Sequence, residues 1–127
     1  MRKTRKRVMR AFTKWLTPLG LGWWEVNIHW YSKPKDILKL FQADREGDEV
    51  AAKLYADWRY GVASLSINLP AFRHMKQWKI ERVIVHEFLH ALVNETREGE
   101  IKHEERVVTS LTKAVFWIRD AAHNKDI

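Results

Sequence analysis

The stretch 77–94 (Gln-Trp-Lys-Ile-Glu-Arg-Val-Ile-Val-His-Glu-Phe-Leu-His-Ala-Leu-Val-Asn) limits what this chain can become more than any other. Ile80, Val83, Ile84, Val85, Phe88, Leu89, Ala91, Leu92 and Val93 set apolar residues almost all the way round a helix, with no Pro or Gly to interrupt it. A helix of that kind is covered on most sides, so other elements must wrap around it. His86, Glu87 and His90 break into the apolar run. Buried imidazoles and carboxylates are costly unless they are paired.

The rest of the chain supplies the wrapping. At 127 residues it makes one domain around one core. Val8, Met9, Phe12, Trp15 and Leu16 recur at helical spacing over 5–17, with basic residues outward, and Pro18, Gly20 and Gly22 end that helix. Over 23–31, Trp24, Val26, Ile28 and Trp30 alternate with Glu25, Asn27 and His29, which predicts a strand with one buried face. Residues 32–48 form a polar connection with a helical turn at Asp36–Phe41. Val50, Ala52, Leu54, Ala56, Trp58 and Tyr60 share a face, as do Leu65, Ile67 and Leu69. Gly61 between them allows a hairpin, which Pro70 closes. After a polar link at 95–100, residues 101–122 form a last helix. Ile101, Val108 and Val115 lie in one row and Leu111 and Ile118 in the next. The class is α+β: an N-terminal helix, a small sheet of about three strands, the buried helix and a C-terminal helix.

Composition removes whole classes of function. With 46% apolar and 31% charged residues the chain is not a disordered one. Seven Trp are expected to build much of the core. There is no Cys, which excludes disulfides, a thiolate metal site and a cysteine nucleophile. No apolar run reaches the ~18 residues of a membrane span. No secretory signal is legible, so a cytoplasmic location is expected. The net charge of +7 is matched by Arg2, Lys3, Arg5, Lys6, Arg7, Arg10 and Lys14 alone. That basic arm (2–14) either solvates a helix face or attracts nucleic acid.

The chemistry lies on the apolar helix. Four residues turn a helix by about 400°, so His86 and His90 sit one above the other and their nitrogens converge on one ion. Glu87 stands beside them, close enough to act as general base on water without being a ligand. With no Cys, the ion is held by His and carboxylate, and zinc is the expected cofactor. A third ligand is needed, and His103, Glu104 and Glu105 are the candidates. Glu104 lies three, four and seven residues before Val107, Val108 and Leu111, so it shares an apolar face. Glu105 leads to Thr109 and Thr112, a more polar one. Glu104 is therefore preferred, with Glu105 and His103 as alternatives. His29, His74 and His123 read as surface residues; His74 or Tyr60 could assist an oxyanion.

The segment Val83-Ile84-Val85-His86-Glu87-Phe88-Leu89-His90-Ala91-Leu92, followed by His103-Glu104-Glu105-Arg106-Val107-Val108, resembles the small zincin-like metallopeptidases often encoded by bacteriophages. Trp23–Ile28 after a first helix and Ala63–Leu69 before the motif helix fit the same layout. The resemblance implies zinc on His86, His90 and Glu104, with Glu87 as base. It further implies a peptide or protein substrate cleaved in a bacterial or phage-infected cell, with no membrane partner. It also implies a sheet-edge strand that holds the substrate, for which Ser64–Leu69 is the candidate. Other zincin branches fit less well: Val93 and Thr96 stand where the extended motif needs Gly and a third His. SprT-like proteases use a third His on a later helix. His103 and the basic arm keep that branch open. The rival functions are a hydrolase of non-peptide amides, and a basic nucleic-acid-binding module with a structural or inactive zinc site.

Overall fold

The computed structural model describes residues 1–41, 50–57, 59–94 and 104–125, with only the backbone described at Asn94 and 123–125. Along the chain run α1 (Arg2–Leu16), β1 (Glu25–Tyr31), α2 (Pro34–Leu40), β2 (Ala52–Asp57) and β3 (Val62–Asn68). Then follow α3 (Leu69–Phe72), α4 (Gln77–Asn94) and α5 (Glu104–Lys125). Among the described residues the result is an α+β fold of five helices and one mixed three-stranded sheet. Among the described residues no helix is long and apolar enough to cross a membrane.

The sheet order is β1-β3-β2, with β1 parallel and β2 antiparallel to β3. Register puts Val26, Ile28 and Trp30 level with Ala63, Leu65 and Ile67, and these level with Ala56, Leu54 and Ala52. All nine lie on one face of the pleat, which packs on the helices. Glu25, Asn27 and His29 face out and are exposed, as their alternation predicts. The β2–β3 turn needs Gly61: its φ is +62°, and a Cβ there would lie 2.4 Å from Cζ3 of Trp23.

The central position of β3 corrects one expectation. Ser64–Leu69 cannot receive a substrate strand by pairing, because β3 is hydrogen-bonded on both sides. Among the described residues the edge facing the motif helix belongs to β2.

Helix α4 occupies the middle, touching α1, β2 and α5. Ile80, Ile84, Val85 and Phe88 are fully buried on it. Each buried side chain of this size contributes ~1.5–3 kcal/mol. The basic residues 2–14 form no detached arm. They belong to α1, which buries Val8, Ala11, Phe12 and Trp15 against the core. Phe12 meets Phe88 edge-on, with ring centroids 5.3 Å apart. The Arg7 guanidinium donates to the Met75 carbonyl, and Gln77 donates to the Arg7 carbonyl at 2.9 Å.

Glu81 ties three helices together. It accepts from the Trp15 indole at 2.9 Å, pairs with Lys14 at 2.7 Å and faces Arg119 of α5 at 3.9 Å. Burial alone would raise its carboxyl. Hydrogen bonds from Lys14 and Trp15, with the charges of Lys14 and Arg119, outweigh that and hold it below the ordinary 4.5.

Two packing expectations fail. Of the Trp residues, Trp15 and Trp24 are buried, but Trp23, Trp78 and Trp117 are more than half exposed; Trp58 lies outside the described residues. On α5, Val108 is buried and Val115 packs on the core, yet Leu111 and Ile118 are exposed. Thr112 and Phe116 take the inward positions instead. The Thr112 hydroxyl donates to the Val108 carbonyl at 2.8 Å, so its polar group is satisfied within the helix. Ile101 and the link 95–100 lie outside the described residues.

Candidate metal centre

One turn of α4 and the first turn of α5 build the site. Helical spacing stacks His86 and His90, and their Nε2 atoms lie 3.2 Å apart. Across the helix interface Glu105 presents both carboxylate oxygens. Oε1 is 2.6 Å from His86 Nε2, and Oε2 is 3.0 Å from His90 Nε2. Ligand atoms of His86, His90 and Glu105 all fall within 4.8 Å of one another. Glu104 stands behind this group, with Oε2 3.0 Å from His90 Nδ1. Its Oε1 is buried without a partner among the described residues.

The third carboxylate therefore differs from the one preferred on sequence. Glu104 does face inward, as its helical face implies, but it meets the far nitrogen of His90. Glu105 reaches the nitrogens that converge. Its face reads as polar in the sequence because Thr109 and Thr112 follow it; Thr112 is in fact buried against α4. His103 lies outside the described residues.

Proton arithmetic tests the fit of a cation. A carboxylate only accepts, so His90 Nδ1 donates to Glu104, and Nε2 of the neutral ring is left with a lone pair. That lone pair faces a carboxylate oxygen of Glu105 and the other Nε2. With both rings neutral, a cation among the four atoms would satisfy every one. The Glu104–His90 contact has the form of the carboxylate–histidine pairing that orients imidazoles in metal sites.

Burial lowers the His86 imidazole below its ordinary 6.5; the charge of Glu105 opposes this and His90 adds to it. Glu87 is 8% exposed and receives no hydrogen bond from the described residues. Burial, helped by the negative charge of Glu105 and opposed by Lys53, pushes its carboxyl up to about 8.

Two clefts meet at this point. One, of about 550 Å³, runs between β2 (Lys53–Ala56) and Glu87, His90, Glu104 and Glu105. The other, of about 720 Å³, lies on the His86 side, between α4 and α5. Val50, Ala52, Glu87 and Glu105 line both. Asn68 fixes that shared wall: its side-chain amide donates to the Val50 carbonyl at 3.1 Å and its backbone N–H to Ala51 at 2.9 Å.

Neither His74 nor Tyr60 lines either cleft. Both are exposed, as is His29; the His123 side chain lies outside the described residues. Sequence reasoning missed Lys53 and Arg82 at the clefts and Asn68, which holds their shared wall. Only Asn68 leaves a trace, as a polar residue ending an apolar strand. Comparison with family models, curated proteins and solved structures gives no match.

Proposed function

We propose that this chain is a zinc-dependent hydrolase that cleaves peptide bonds, with the metal on His86, His90 and Glu105. The observation that carries the reading is the meeting of two imidazole nitrogens and a carboxylate where a strand edge opens into a cleft. Bound zinc supplies Lewis-acid polarisation of a carbonyl and eases deprotonation of water. Glu104 holds His90 in the tautomer that directs Nε2 inward. Glu87, uncommitted to any hydrogen bond among the described residues, takes the proton of the attacking water and returns it to the leaving amine. The edge of β2, without a second strand neighbour among the described residues, pairs with an extended peptide through its backbone groups and lays it across the centre.

The test is metal content and peptide digestion by the purified protein. Zinc bound one per chain is expected, with cleavage that stops on chelation and returns with zinc. Glu87→Gln keeps the metal and loses turnover. A variant that still cut at the parental rate would remove Glu87 from the role of base.

A second reading concerns where the hydrolase works. Arg2, Lys3, Lys6 and Arg10 are exposed on α1 with no acid partner among the described residues, an arrangement suited to a nucleic-acid backbone. Because α1 is part of the core, deleting it would test folding instead. Changing Lys3, Lys6 and Arg10 to Gln is the informative experiment. DNA affinity should fall, and its salt slope should flatten by roughly 0.9 for each phosphate no longer neutralised. DNA binding unchanged by these substitutions would exclude this face.

A further inference from the structure

The two clefts differ in charge. Among the described residues the β2 side carries three carboxylates of the centre (Glu87, Glu104, Glu105) and one cation, Lys53. The His86 side carries Lys79, Arg82 and Lys113, and among the described residues its acids are Glu87 and Glu105 of the centre itself. None of these three cations has an acid partner among the described residues. A peptide crossing the centre would pass from a negative cleft into a positive one.

Arg82 is also the best placed of the three. Its guanidinium stands 5.6 Å from the Trp78 ring and 5.5 Å from the Phe116 ring, one from each helix. Contact with the two aromatic rings restrains the guanidinium while leaving its N–H groups without an acid. Planar N–H groups of this kind match a carboxylate with two parallel hydrogen bonds. Trp78 and Val83 line the same cleft and offer apolar surface to the methylenes of a side chain.

We propose that the cleft on the His86 side is a carboxylate subsite, read by Arg82 with Lys79 and Lys113. The substrate then carries an acidic group on one side of the bond to be cleaved. The carboxylate is either an Asp or Glu side chain or a chain terminus. This assignment rests on the peptidase reading, but it is tested by binding and not by turnover.

The experiment uses zinc-loaded Glu87→Gln protein and fluorescein-labelled peptides of one length on an Ala/Val host, read by anisotropy. One peptide has Glu in its second half, one Gln and one Lys, each with a free or an amidated C-terminus. The Glu peptide should bind on the order of tenfold tighter than the Gln peptide, the size of a charge-assisted hydrogen bond, and the Lys peptide weakest. Tighter binding of the Glu peptide, kept on amidation, assigns the site to a side chain; equal binding of the Glu and Gln peptides that amidation weakens on the order of tenfold assigns it to the terminus. Arg82→Met should abolish most of the discrimination and Lys113→Met part of it. Lys39→Gln, exposed on α2 and away from both clefts, should leave it intact and so excludes bulk charge as the cause. Binding that neither the Glu-for-Gln change nor amidation alters, or a carboxylate preference unchanged in both Arg82→Met and Lys113→Met, would overturn the subsite. Acid-selective binding without cleavage by the parent protein would instead fail the peptidase reading and leave the subsite standing.

Discussion

Replacing Glu87 by Gln removes a charge problem from the core as well as the proposed base. In the metal-free protein the Glu87 carboxyl is pushed up to about 8 from an ordinary 4.5, mainly by burial. Below 4.5 it is protonated in both folded and unfolded chains and costs nothing. As pH rises the unfolded chain ionises first, so stability falls until the folded carboxyl also ionises near 8. About pH 7 lies roughly 2.5 units above the ordinary value, and each unit is worth about 1.4 kcal/mol, so the loss there is about 3 kcal/mol. Gln keeps the shape and stays neutral. Glu87→Gln should therefore be more stable than the parent by about 2–3 kcal/mol at about pH 7, and by almost nothing in acid. Urea unfolding with chelator present, run at several pH values, measures this directly. A gain that is the same at every pH, or a variant less stable than its parent when neutral, would refute the account of Glu87 as a buried, unpaired carboxyl.

The remaining predictions separate neighbouring groups. Glu105→Ala should abolish tight zinc binding, whereas Glu104→Ala should weaken it ~10–100-fold, the range for a residue that orients a ligand; competition against a chromophoric chelator ranks the two. Glu81 has its folded carboxyl below the ordinary 4.5, so its contribution is present above 4.5 and lost as pH falls through the folded value. Glu81→Gln should thus destabilise the protein at neutral pH, with the gap closing in acid, as read by denaturant melts. Gly61→Ala and Gly20→Ala each force a left-handed backbone costing about 1–2 kcal/mol, but only at Gly61 does the new methyl meet Trp23, so the melting temperature of Gly61→Ala should drop well below that of the Gly20→Ala control.

What is legible in the sequence follows from physical range. The span of α4 is read from local periodicity alone, because apolar residues on every side leave no other element for 77–94. Strand faces on β1, β2 and β3 are read from alternation for the same reason. Sheet order is not local: β1 lies against β3 and in parallel, a pairing across the intervening α2 and β2 that no pattern in either strand announces. Hence the edge strand that the resemblance implied, Ser64–Leu69, falls in the middle of the sheet, and alternation could not have corrected it. Helix α3 is invisible because its Pro70, at the start of a single turn, also serves as a stop signal. His86 and His90 are legible because four residues on a helix are one turn. The third carboxylate is not, since hydrophobicity alone ranks the faces of α5. A threonine that satisfies its own hydroxyl is buried as readily as a valine.

Leaving β2 without a second neighbour among the described residues has a consequence beyond catalysis. A row of open amides accepts any extended chain, including the same strand of another copy. In a mutual antiparallel register centred on Tyr55, Lys53 of each copy would face Asp57 of the other, so charge would favour the encounter. Such pairs would plug the entrance, and turnover per molecule would decline as the solution is concentrated. The strand proposed to admit substrate would also make the protein self-limiting.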